Sequence, residues 1–163
     1  MTCVVANSGP LIALAALECL HLPGLLWGRL LAPKTVLDEC AGLPHKAGAG
    51  QIHRAMEAGL IEVRADALLP DDLPVSHLDA GEAQAICLAR DLRAVLLMDE
   101  RRGRKMASAL GIPHVGTCGL LVKAKREGLI EAVSPLLDRL MIAGYFLAPA
   151  LVGDTLRVAG EAH

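Results

Sequence analysis

Four oxygen-bearing side chains, Asn7, Glu39, Glu82 and Asp99, lie far apart in a chain of 163 residues. Asp99 stands in Ala94-Val-Leu-Leu-Met-Asp-Glu-Arg-Arg-Gly-Arg-Lys105, where an apolar run of strand length breaks into Asp99 and Glu100 and then into Arg101, Arg102, Arg104 and Lys105. A carboxylate at the carboxyl end of a buried strand can hold a cation, and the basic residues behind it can meet phosphates. Oxygen donors of this kind suit hard ions such as Mg²⁺ and Mn²⁺. Two carboxylates ~5 Å apart repel by roughly 3 kcal/mol at an effective dielectric of 20. A cluster of three therefore raises at least one pKa and costs stability unless a cation sits among them.

The elements that would bring these residues together follow from apolar periodicity and turn chemistry. Cys3–Ala6 is a first strand, after which Pro10 opens a helix to about Leu20, capped by Ser8 or Gly9. A short strand over Gly28–Ala32 leads into a helix starting at Pro33 or Thr35 and stopped by Gly42. Residues 43–50 read as loop, 51–58 as helix, 60–63 as a weak strand and 65–77 as a surface connection. A helix over Asp79–Arg93 precedes the Asp99 strand, and helix Arg101–Leu110, strand Ile112–Val115 and a helix from Thr117 to Glu127 follow it. Ser134–Ala143 is helical, Tyr145–Leu147 extended, and Pro149–Gly160 a last helix. Strands alternating with helices, without hairpin turns, predict one domain over residues 1–163. It is a three-layer α/β/α sandwich, Rossmann-like, around a parallel sheet. In that fold Asn7 and Asp99 stand at carboxyl ends of strands, and Glu39 and Glu82 in the first turns of helices starting from the same edge.

Composition limits the alternatives. The apolar fraction is 53%, yet aromatics are 2%, so Leu, Ala, Val and Ile build the core, and single-strand binding by base stacking is disfavoured. A formal net charge of −2 leaves nucleic-acid contact to local basic patches. Five scattered cysteines without a C-x-x-C pair read as core residues of a cytoplasmic protein, and the histidines show no zinc spacing. Pro10–Leu26 is interrupted by Glu18, His21 and Pro23, so neither a signal peptide nor a membrane span is expected.

Each residue also has a plainer reading. Asp79-x-x-Glu82 is the spacing of a capping box, Ser8 and Thr117 are helix caps, and Asn7 is a turn residue. Ser8 has no His or Lys beside it in sequence to activate it as a nucleophile. The cations after Asp99, like Lys123, Lys125 and Arg126, are then solvated helix faces.

Val4-Val-Ala-Asn-Ser-Gly-Pro-Leu-Ile-Ala-Leu-Ala15, Pro33-x-x-Val36-x-x-Glu39, Leu78-Asp-x-Gly-Glu-Ala-x-Ala-Ile86 and Leu96-Leu-Met-Asp-Glu-Arg101 together resemble the PIN-domain superfamily. The resemblance is to its PIN-like branch with a [D/N]-[S/T]-x-P-L-I opening. Gly116-Thr-x-Gly-Leu-Leu121 and Lys125-Arg-x-Gly-Leu-Ile130 extend the likeness in register over nearly the whole chain. The resemblance implies a PIN fold and Mg²⁺- or Mn²⁺-dependent ribonuclease chemistry. Many members are VapC-type toxins of toxin–antitoxin pairs, often homodimers whose antitoxin occludes the acidic pocket. By position the four family acids fall on Asn7, Glu39, Glu82 and Asp99. Glu100 matches an adjacent acidic position, and Ser8 and Thr117 match polar pocket residues. Asn7 departs from the Asp of the wider superfamily; its amide oxygen can coordinate a cation but brings no charge and cannot act as a base.

Two expectations from different classes follow. The first is a metal-dependent endoribonuclease. Its metal is held by Asn7, Glu39, Glu82 and Asp99, its RNA backbone is positioned by Arg101, Arg102, Arg104 and Lys105, and an antitoxin and a second copy are its partners. The alternative is a catalytically impaired PIN-like domain that binds RNA or protein. A phospho-acceptor receiver ranks below both, since receivers need an acidic pair after the first strand, where this chain has Asn7-Ser8. Residues 43–77 are expected to form a dimer surface or a lid.

Overall fold

A computed structural model describes residues 2–42 and 48–162. Five parallel strands, β1 (Cys3–Ala6), β2 (Arg29–Pro33), β3 (Glu62–Arg64), β4 (Val95–Leu97) and β5 (His114–Val115), lie side by side in the order β3-β2-β1-β4-β5. The register places Val5 beside Leu31 on one side and Leu96 on the other. Val4, Val5 and Ala6 are wholly buried, as expected of a central strand covered on both faces.

The helices are α1 (Ser8–Ala16), α2 (Leu22–Trp27), α3 (Lys34–Ala41), α4 (Ala49–Glu57), α5 (Ala80–Leu92), α6 (Arg101–Ala109), α7 (Thr117–Arg126), α8 (Ser134–Ile142) and α9 (Pro149–Val158). α5 crosses β1, β2 and β4 and packs on α3 and α6, whereas α2 lies against β1 and β2 and packs on α7. The result is the three-layer α/β/α sandwich expected from the alternation of strands and helices. Among the described residues no helix is long and apolar enough to cross a membrane.

Local chemistry sets the element ends that matter for the site. The Asp79 side chain accepts the Glu82 backbone N–H at 2.8 Å, capping α5, and Arg93 ends it in a left-handed turn at φ 53°. α6 stops before Gly111 at φ 72°. Pro33 ends β2 and is the residue from which α3 starts.

Several expectations needed correction. α1 starts at Ser8, not Pro10, and ends at Ala16. Ser8 and Thr117 are therefore the first residues of their helices; the cap positions belong to Asn7 and Gly116. α2 was not anticipated, because its six residues, LPGLLW, are too few and too uniformly apolar to show a period. Gly28 is not in β2; it turns the chain at φ 97° against Thr2. α4 begins at Ala49, inside the expected loop, of which residues 43–47 lie outside the described residues. Tyr145–Leu147 forms no strand. The 65–77 connection has no helix or strand, but Leu73 and Val75 are buried and anchor it to the core.

Candidate active site

The chain leaves β1 toward β2 and β3 on one side, and later supplies β4 and β5 on the other. The switch point therefore falls between β1 and β4, and the crevice of an open parallel sheet forms outside the carboxyl ends of such a strand pair. Asn7 follows β1, and its backbone N–H donates to the Leu97 carbonyl at 3.0 Å, tying the two strand ends together. Its side chain is 4% exposed. Nδ2 donates to the Met98 sulfur at 3.4 Å, while Oδ1 is buried without a partner among the described residues.

Asp99 lies two residues beyond β4, at the exposed rim. Thr117 holds it twice, through its backbone N–H to Oδ1 at 2.7 Å and its hydroxyl to Oδ2 at 2.6 Å. Helix α7 thus presents its first residue to a carboxylate, as helix N-termini favour. Gly116 makes room for this contact, since a Cβ there would stand 2.9 Å from Asp99 Oδ1.

Glu82, in the first turn of α5, is 1% exposed, and its Oε2 has no partner among the described residues. Burial pushes its carboxyl above the usual range, the Asp79 charge adds to this, and Arg102 works against it. Glu39 lies in the second turn of α3 rather than the first, and its carboxylate rests on Gly81, the residue before Glu82. Its pKa is raised by burial and then by Asp79; the Ser8 hydroxyl and the Gly81 N–H favour the charged form. Asp79 is the carboxylate that sequence reasoning left out of the site. The D-x-x-E spacing signalled it, but only as a cap; in the fold its charge acts on both Glu39 and Glu82.

The expected residues therefore gather as two neighbouring groups. Asn7, Met98, Asp99 and Thr117 lie at the β1–β4–β5 end, and Glu39, Asp79, Gly81 and Glu82 at the start of α5. Ser8, the neighbour of Asn7, is near enough to Glu39 to favour its charged form. Glu100, at the cap position of α6, acts on the Glu82 charge. Of the basic residues, Arg102 donates to the His77 carbonyl at 3.3 Å and Arg104 lies beside Gly116; Arg101 and Lys105 are exposed on α6. Asp99, Glu100, Arg104 and Thr117 also open onto a groove of about 1210 Å³ between α7 and the C-terminal helices.

Among the described residues no three His, Cys, Asp or Glu side chains are arranged to enclose a metal ion. The donors nonetheless fit a hard cation, because two buried oxygens, Asn7 Oδ1 and Glu82 Oε2, have no partner among the described residues. Such an unmet acceptor costs about 1–3 kcal/mol, which a cation or a bound water would offset.

A family model described as PIN domain matches residues 3–161. Among solved structures, the chain is similar to a PilT N-terminus domain protein of the hyperthermophilic archaeon Sulfolobus solfataricus P2. The identity is 18% and the TM-score 0.50, over 91% of this chain and 98% of that one. No curated protein matches. At that identity the structural likeness speaks for the fold, which is the fold described above. With the family match spanning all but the ends of the chain, this protein belongs to the PIN-domain family.

Proposed function

We propose that this protein is a Mg²⁺- or Mn²⁺-dependent endoribonuclease whose site is the β1–β4 edge. PIN domains are generally nucleases that use divalent metals. The observation that carries the reading is two orphaned buried oxygens, Asn7 Oδ1 in the group that holds Asp99 and Glu82 Oε2 in the group that holds Glu39, without a partner among the described residues.

Asn7, Glu39, Glu82 and Asp99 would hold the cation. When bound, it would lower the pKa of a water and offset charge on the scissile phosphate. The chain's own residues prepare that site. Thr117 fixes both Asp99 oxygens, so the carboxylate presents its remaining lone pairs in one orientation. Met98 takes the Asn7 amide N–H, leaving the oxygen as the free end. Ser8 and Gly81 steady Glu39 in its charged form. Arg101, Arg102, Arg104 and Lys105 supply cations beside a site that otherwise repels a polyanion. A toxin role, with an antitoxin and a second copy as partners, is the part of this proposal that rests on the family alone.

A second reading, a catalytically impaired domain that binds RNA or protein, is favoured by the neutral Asn7 and by the absence of a three-acid cluster among the described residues. Cleavage separates the two. Purified protein should cut single-stranded RNA in Mn²⁺, and Asp99→Asn or Glu82→Gln should abolish cutting while the fold remains. No cutting by wild type under any divalent ion, or equal cutting by the variants, would reject the nuclease at this site.

A further inference from the structure

The chain has three aromatic residues, and two of them, Tyr145 and Phe146, are adjacent and line the groove that opens from Asp99 and Thr117. Phe146 is 86% exposed. A ring left this open adds nothing to the core and buries its area only when something covers it. Arg104, Lys123 and Arg126 line the same groove together with the carboxylates of Glu127 and Asp154, the latter paired with Arg157 at 2.9 Å. Lys123 is engaged, lying 5.9 Å over the Trp27 ring and 3.2 Å from Glu127. Arg126 gives one donor to the Val158 carbonyl at 3.4 Å and keeps the rest. Arg104 has no ion-pair partner among the described residues. The helical rise spreads Thr117 and Arg126 over roughly 14 Å of groove.

A strand whose scissile phosphate sits at Asp99 must continue somewhere, and this groove begins at Asp99. Resting on the reading of the site as a ribonuclease, we propose that the groove carries the single-stranded RNA on one side of the cleaved phosphate. Phe146 stacks on a base, and Arg104 and Arg126 meet backbone phosphates. Few aromatics disfavour an extended stacking surface, but one ring placed in the path of the strand is enough for one base. Continuity with the acid edge, and two arginines without an ion pair among the described residues where the wall's other charges are paired off, favour nucleic acid over a protein segment as the occupant.

The test is fluorescence anisotropy of a labelled single-stranded RNA octamer on the full chain in EDTA, where cleavage cannot contribute. Phe146→Ala should weaken binding about fivefold to a hundredfold, Phe146→Leu comparably, and Phe146→Trp should restore it. Arg126→Gln should weaken binding and flatten its salt dependence by about one unit of log–log slope. Unchanged affinity in Phe146→Ala and Arg126→Gln would overturn the proposal. So would full retention in Phe146→Leu with loss only in Phe146→Ala, which would mark an apolar contact, or a change in oligomeric state with unchanged RNA affinity, which would mark a contact between copies. Cleavage read in parallel keeps the two ideas apart. Cutting that needs Asp99 while Phe146 is dispensable would reject the groove alone; Phe146-dependent binding without cutting would reject the nuclease alone.

Discussion

The Glu39 carboxylate lies where a side chain on Gly81 would begin: a Cβ there would stand 2.5 Å from Glu39 Oε1 and 2.6 Å from Oε2. Two helices distant in sequence, α3 and α5, thus meet through an acid and a missing side chain. The contact costs the fold little to disturb, because the carboxylate is the far end of a flexible chain, but it fixes where the charge sits.

Gly81→Ala should therefore separate stability from function. Alanine in a helix is favoured over glycine by up to about 1 kcal/mol, so urea unfolding should show equal or slightly raised stability. Displacing Glu39 should at the same time sharply reduce the response to Mn²⁺ and RNA cleavage. Full activity in Gly81→Ala would show that the position of Glu39 is immaterial.

Thr117 is expected to act through Asp99. Thr117→Val keeps the shape of a side chain that is 4% exposed but removes the hydroxyl that meets Asp99 Oδ2 at 2.6 Å. The loss should destabilise by about 1–3 kcal/mol and lower cleavage, whereas Thr117→Ser should retain most of both. Parallel urea and cleavage curves for the two variants make the comparison; equal behaviour would remove Thr117 from the account.

The raised carboxyls of Glu82 and Glu39 give a pH dependence of definite sign. Both bind protons more tightly folded than unfolded, so their contribution is complete below the ordinary Glu range and is lost as pH rises through the raised folded values. Metal-free wild type should thus lose stability relative to Glu82→Gln as pH rises from the ordinary Glu range to neutrality. At neutral pH the variant should be the more stable, since it no longer buries a charge. Urea unfolding of both proteins in EDTA across that range measures the difference. A gap that is flat or opposite in sign would mean that Glu82 is better solvated than its burial implies.

Much of this arrangement could be read from residues. The apolar runs Cys3–Ala6 and Ala94–Met98, each followed by a polar residue, located β1 and β4, and Asp79 located the start of α5. Alternating elements with right-handed crossovers then imply that Asn7, Glu82 and Asp99 share an edge. What stayed hidden depends on distance rather than pattern. Gly81 and Gly116 matter through a Cβ they lack, which no spacing reveals. Asp79 looked like a cap because it is one, and only packing shows its charge acting on Glu39. Glu39 fell in the second turn although its helix starts at Lys34, between the two expected starts, because Glu39 lies five positions past that start. Phe146 disappeared into a low aromatic total, although its position in the groove is what gives it a use.

The central claim is that a cation belongs at the β1–β4 edge, and thermal unfolding with Mn²⁺ and Mg²⁺ tests it most directly, on wild type and Asp99→Asn together. At a hundredfold excess over the dissociation constant, binding adds about 2.7 kcal/mol, a rise in Tm of roughly 5–10 °C for a domain of this size. The account predicts that rise in wild type and its loss in Asp99→Asn. No rise in wild type at millimolar Mn²⁺, or the same rise in both proteins, would contradict it.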